Sequence, residues 1–275
     1  MMRNRDRFGA ASPSTRRVIA LHCSGSSGRQ WRQLAEELGG RFRFLAPDLA
    51  DHHAAGRGEF TLSREARPIV DLIDARSTPV HLVGHSYGGA VALRAAVERP
   101  HRVASLTLYE PTVFHLLGLF GAAGASALFE IQSIAYALEQ LVASDHHRAA
   151  ARLFFDVWNG EGSFDALRAE KQASLIRYVP KGPMEFRALF GERVALGVYG
   201  ALQVPTLILK GQHAPAPTSL VASALAGAME EATSATMPGL GHMGPLTHAE
   251  IVAPEIANHI ARTESAFARL GRDAA

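Results

Sequence analysis

The 275-residue sequence has a single cysteine, Cys23, so it can form no intramolecular disulfide, and cysteine usage gives no support for secretion. The first 16 residues are polar and contain no apolar core of the kind a signal peptide carries. No apolar run approaches the length of about 18 residues that a membrane-spanning helix needs. A run of basic charge is missing too. Arg3, Arg5, Arg7, Arg16, Arg17, Arg32 and Arg41 are scattered among apolar residues and the formal net charge is +2, which argues against a nucleic-acid surface. There is no internal repeat and no low-complexity tract. These absences predict a soluble cytoplasmic protein, with neither nucleic acid nor membrane as partner; monomer and homodimer both stay open.

What the chain has is alternation. RVIALHC (17–23) is short, β-branched and uncharged after Arg17, as buried strands are. It runs into the turn SGSSG (24–28) and a helical pattern carrying Trp31, Leu34, Ala35 and Leu38, which Gly39-Gly40 stops. The unit then repeats. RFRFLAPDL (41–49) reads as a strand, 63–75 as a helix, PVHLVGH (79–85) as a buried strand, 87–99 as a small-residue helix and SLTLYEP (105–111) as a strand. Between 112 and 200 only helix-like stretches occur. The rhythm resumes at VPTLILKG (204–211) and ATSATMPG (232–239) and closes with a helix over 247–264. Strands alternating with helices predict an α/β fold: a mostly parallel central sheet of six to seven strands flanked by helices. The expected organisation is a flexible tail over 1–16, an α/β core over 17–111 and 201–275, and an inserted helical cap over 112–200.

The chemistry begins at GHSYGG (84–89), a G-x-S-x-G pattern between a strand and a helix. A serine on so tight a turn has a strained backbone, and Gly84 and Gly88 remove the Cβ atoms that would clash there. Its hydroxyl then projects at a helix N-terminus, where free N–H groups and the helix dipole favour developing negative charge. Ser86 is therefore the candidate nucleophile.

In this context the chain resembles the α/β-hydrolase family, from residue 17 to about 264. LHCSGSSGRQW (21–31), APDLADH (46–52) and GLGHMGP (239–245) agree with it. The resemblance implies a histidine base after the last strand, and His242 stands there. Other histidines fit that role less well. His52-His53 and His146-His147 are adjacent polar pairs without metal-site spacing, His81 lies inside a strand, and His85 sits within the turn itself. No metal and no cofactor are implied.

The family's usual acid lies in the loop after the strand that follows the cap. That loop reads QHAPAPTSL, with Ala214 where the aspartate is expected, and no Asp or Glu occurs between Glu192 and Glu230. An alternate position, used by some haloalkane dehalogenases, ends the strand after the nucleophile helix, and Glu110 occupies it here. The alternatives are a Ser–His dyad or a triad completed by Glu110. For the oxyanion hole, the resemblance implies backbone N–H groups of Tyr87 and Ser24, although Cys23 replaces the family's usual glycine. A serine nucleophile favours attack on a carbonyl, so the expected activity is hydrolysis of an ester, thioester or lactone. Cofactor-free C–C cleavage, a lyase, a perhydrolase and a non-catalytic receptor are the alternatives. Near the entry of the cap, Phe114, Leu116, Leu117, Leu119, Phe120, Phe129 and Ile134 either suggest a small-molecule substrate with an apolar group of small to medium size or simply pack the cap.

Overall fold

The computed structural model describes residues 16–49 and 60–273. The expected tail, apart from Arg16, and the His52-His53 pair lie outside the described residues.

Six strands form one parallel sheet: β1 (Arg17–Leu21), β2 (Arg43–Leu45), β3 (Val80–His85), β4 (Val103–Tyr109), β5 (Thr206–His213) and β6 (Ala232–Gly241), in the order β2-β1-β3-β4-β5-β6. β1, β3 and β4 are buried along their whole length, as strands covered on both faces must be, and their near-continuous apolar runs follow from that. Side chains alternate between the two faces. Ile19, Leu82 and Leu106 join one apolar cluster with α2 (Leu62–Asp74) and α3 (Tyr87–Glu98). Val18, Ala20 and Val83 join the other with α1 (Arg32–Glu37) and the long C-terminal helix. β2 is much shorter than the run 41–49 suggests. It is an edge strand, half-buried and paired only to β1, and Pro47 just beyond it has no N–H to extend the ladder.

The stretch between β4 and β5 is helical and contains no strand. After a 3-10 turn at Phe114–Leu119 come α4 (Gly121–Ala143), α5 (His147–Asn159), α6 (Ala169–Tyr178), a 3-10 turn at Val179–Lys181, α7 (Gly182–Gly191) and α8 (Leu196–Gly200). Ile131, Leu138, Leu175 and Phe186 continue the cluster that covers the first sheet face, so these helices share the core with α2 and α3. The chain ends with α9 (Ala216–Ala228), α10 (Gly244–Thr247) and α11 (Ala249–Asp273), the last extending beyond the expected 264. No helix among the described residues is long and apolar enough to cross a membrane.

With every strand parallel, the carboxyl ends of β3, β4, β5 and β6 lie on one edge of the sheet, where α/β folds place ligands. Leu82, fully buried in the middle of the sheet, and Leu119, 62% exposed, separate core from surface. Leu82→Ala should cost about 2–5 kcal/mol in urea unfolding, whereas Leu119→Ala should stay within about 0.5 kcal/mol.

Candidate active site

β3 passes directly into α3 through Ser86, whose backbone is held at φ 55° and ψ −120°. Its N–H donates to the Tyr109 carbonyl at 3.0 Å, and its own carbonyl accepts the N–H groups of Gly89, Ala90 and Thr112. Glycine is required on both sides of the turn. A Cβ at Gly84 would stand 2.6 Å from the Gly88 carbonyl oxygen, and one at Gly88 would overlap the carbonyls of Leu21 and His22. Among the described residues, three that are not glycine have positive φ, and two of them are Ser86 and Glu110.

His242 follows the end of β6 and is buried. Its Nδ1 lies 2.7 Å from Glu110 Oε2 and its Nε2 lies 2.9 Å from Ser86 Oγ. A carboxylate can only accept, so Nδ1 carries the proton and Nε2 is free to accept from the serine hydroxyl. Glu110 has no exposed surface, and its backbone turns to φ 42° just past β4. Its Oε1 accepts the Gly211 N–H at 2.9 Å, and its Oε2 also accepts the Thr218 hydroxyl at 2.7 Å. Burial alone would raise the Glu110 carboxyl, but the hydrogen bond and charge of His242, helped by the donors Gly211 and Thr218, hold it below the usual carboxylate range. The structure therefore brings Ser86, His242 and Glu110 into one hydrogen-bonded line.

Two backbone amides are expected at an oxyanion hole, those of Tyr87 and Ser24. Tyr87 opens α3 and Ser24 lies in the turn after β1, and neither N–H has a backbone acceptor among the described residues. Cys23 is buried, and burial pushes its thiol up to about 12, which leaves it an inert apolar group.

Several neighbours carry no sequence signal for their role. The Trp158 indole, from α5, lies over the His242 imidazole at 4.5 Å between ring centroids and 35° between planes. His85 Nε2 donates to the His242 carbonyl at 2.8 Å, while its Nδ1 accepts from Gln30 Nε2 at 3.0 Å. Gln30 Oε1 in turn accepts the Cys23 N–H at 3.1 Å. Burial, with a smaller contribution from His242, holds His85 well below the usual imidazole range, so it braces the loop as a neutral ring.

Ser86 and His242 open into a cavity beneath the helical segment. Its apolar wall is built by Phe154, Phe155, Trp158, Leu175, Phe186 and Leu189, from α5, α6 and α7. The Thr112 hydroxyl, buried without a hydrogen-bond partner, lines it as well. Of the seven apolar residues expected there, only Phe114 lines it. Leu116 and Leu117 are buried in the core and Leu119 is exposed at the end of the 3-10 turn, while Phe129 is exposed because α4 turns Ala127 and Ile131 inward. No cluster of three or more His, Cys, Asp or Glu side chains able to hold a metal occurs among the described residues.

Comparison with known proteins places this geometry in context. The family model of the alpha/beta hydrolase family matches residues 18–255. Lipase LipV of Mycobacterium tuberculosis is 37% identical over 109 residues, 39% of this chain and 41% of that protein, so this match spans less than half of it. A pimeloyl-(acyl-carrier protein) methyl ester esterase of Chromobacterium violaceum is 26% identical over 245 residues, covering 88% and 93% of the two chains. Among solved structures, olei00960, a hydrolase from Oleispira antarctica, superimposes with a TM-score of 0.71 over 92% of this chain and 93% of its own, at 15% identity.

The depressed Glu110 carboxyl gives a signed expectation. Its ionised form stabilises the folded state above the ordinary carboxylate range, and that contribution is lost as pH falls through its lower folded value. Glu110→Gln should cost about 1–3 kcal/mol at neutral pH. The gap from the parent protein should close as chemical denaturation is repeated at progressively more acidic pH.

Proposed function

Because this chain belongs to the α/β hydrolase family, we propose that it is a serine hydrolase that cleaves a carboxylic ester, or a related thioester or lactone, through an acyl-enzyme on Ser86. The observation that carries this reading is the line Ser86–His242–Glu110, with links of 2.9 and 2.7 Å, at the floor of an apolar cavity. A serine hydroxyl is far from ionised at neutral pH, and an acceptor imidazole in hydrogen-bond reach removes that obstacle.

In the proposed reaction Ser86 Oγ attacks the carbonyl carbon while His242 Nε2 takes its proton. Glu110, a carboxylate bonded to Nδ1–H, holds the ring in this tautomer and balances the imidazolium charge. The tetrahedral oxyanion sits against the N–H groups of Ser24 and Tyr87. The C–O bond to the leaving group then breaks, and His242 returns its proton to the departing oxygen. Water attacks the acyl-enzyme with His242 again as base, which releases the acid and restores Ser86.

The helices over 112–200 serve as a cap in this reading. They supply the aromatic wall of the cavity, which favours an apolar acyl or alcohol group of small to medium size. The relatives named as a lipase and as a methyl ester esterase point to the same bond class. Glu110 takes the acid role, which removes the need for a dyad.

Hydrolysis of p-nitrophenyl esters of increasing chain length tests the proposal. A fluorophosphonate probe should label Ser86 and leave Ser86→Ala untouched. Glu110→Gln should lower kcat by a factor on the order of 10³–10⁴, by analogy with loss of the acid in other triads. Absence of labelling in the parent protein would overturn the hydrolase reading, and a near-normal kcat in Glu110→Gln would remove Glu110 from it.

A further inference from the structure

Beneath the helical segment lies a group of buried charges that the proposed chemistry does not use. Lys181 Nζ sits 3.1 Å from Glu185 Oε1 and 3.4 Å from Glu65 Oε2, and all three residues are buried. Lys181 and Glu185 come from the turn before α7 and from α7 itself, while Glu65 comes from α2 of the sheet-flanking layer. The cluster therefore ties the helical segment to the core.

Its outer contacts are more specific. Glu185 Oε2 accepts the Ser24 hydroxyl at 2.5 Å and the Tyr178 hydroxyl at 2.5 Å. Glu65 Oε2 accepts the Tyr87 hydroxyl at 3.3 Å, and Lys181 Nζ also lies 5.7 Å from the centroid of the Tyr87 ring. Ser24 and Tyr87 are the two residues whose backbone N–H groups face the proposed oxyanion. Both are thus held by their side chains to one cluster, and Lys181 bridges the two tethers.

We propose that Glu185 and Lys181 are positioning residues for the oxyanion hole, which takes its working geometry only while the helical segment is seated on the core. This rests on the serine-hydrolase reading and adds a dependence of the chemical step on the cap. Glu185 lines the cavity, but its Oε1 faces Lys181, its Oε2 holds two hydroxyls and Lys181 is committed to two carboxylates, so these bonds tie protein to protein. Stability alone does not account for it, since replacing a buried ion cluster with apolar groups is often neutral or stabilising. Burial works against the Lys181 ammonium, yet Glu185 and Glu65 raise it above its usual range, so the bridge stays charged. Burial also raises Glu65, with Lys181 opposing.

The expected effects follow from what the tethers do. Deleting an oxyanion-hole donor outright costs about 10²–10³ in kcat, and releasing a donor so that it wanders should cost about 10- to 100-fold. The variants are Glu185→Gln, Lys181→Met, Ser24→Ala and the double variant Glu185→Gln/Ser24→Ala. Each is assayed for kcat and KM on a p-nitrophenyl ester and for inhibition by a trifluoromethyl ketone, whose adduct places an oxyanion in the hole. Support would be a kcat lowered about 10- to 100-fold with KM within about threefold, and an inhibition constant weakened in step. The double variant should be no worse than the poorer single one, because both changes act on the hole through the same Ser24–Glu185 tether. Arg187→Ala, which removes an exposed ion pair to Glu139 on the same helical segment, should leave every parameter unchanged. If Glu185→Gln does not fold, Ser24→Ala deletes only the hydroxyl tether and carries the test by itself. The proposal is overturned if kcat stays within twofold, if KM alone rises, or if the two single losses multiply in the double variant. A parent protein with neither turnover nor Ser86 labelling would overturn the hydrolase reading as well, whereas an active parent with indifferent variants would overturn this proposal alone.

Discussion

The backbone of Ser86 stands at φ 55° and ψ −120°, a conformation that costs a non-glycine residue about 1–3 kcal/mol and survives only where its surroundings over-determine it. Here they do so from both sides. The Ser86 N–H is fixed to β4 through Tyr109, and the Ser86 carbonyl receives three N–H groups, two from α3 and one from Thr112. Much of the site follows from this turn. The serine hydroxyl projects where the strand ends and the helix begins, glycine becomes obligatory at 84 and 88, and the end of β1 comes close enough to bring Ser24 beside the cavity. The adjoining Glu110 backbone, at φ 42°, is a second departure of the same kind on the neighbouring strand.

Burial explains how the three groups in line can work as one unit. His242 and Glu110 are removed from solvent, where an unpaired carboxylate would be costly, yet Glu110 has three donors: His242, Gly211 and Thr218. The imidazole is framed in turn by Trp158 on one ring face and by His85 from beneath its own loop. The chain of bonds from the His242 carbonyl through His85 and Gln30 to the Cys23 N–H joins the loop of His242 to the loop that carries Ser24. Every donor in it meets an acceptor once His85 is neutral, and burial keeps it so.

The parts that could be read from the sequence share a property: their signal is local. The runs 17–23 and 79–85 are uncharged beyond their first residues because both faces of β1 and β3 are covered, and the strand–GHSYGG–helix order shows within a short stretch of neighbouring residues. His242 stands out because a glycine-rich loop follows the last strand. The failures are nonlocal. The length of β2 depends on its having a single neighbour, and the cavity wall depends on which faces α5, α6 and α7 turn toward Ser86. Nothing in α5 distinguishes Trp158 from Phe154 or Phe155 until the helix is docked. Lys181 and Glu185 look like any i,i+4 surface pair, and only the approach of Glu65 and Ser24, more than a hundred residues earlier, makes them a buried cluster.

The position of Glu110 is the feature where sequence and geometry meet most directly. The loop after β5 has no carboxylate, and Ala214 stands where the family resemblance expects one. β4 and β5 are adjacent and parallel, so their carboxyl ends lie side by side. A side chain launched from the end of β4 can reach the space above the end of β5, and the Glu110 carboxylate does so, since Oε1 accepts the N–H of Gly211 from β5 itself. Oε2 then points at His242 Nδ1 with Thr218 of α9 on its flank. His242 thereby meets a buried, multiply bonded carboxylate supplied from the end of β4. The register that pairs Tyr109 with Leu209 sets Glu110 beside β5, and the glutamate side chain spans the remaining gap.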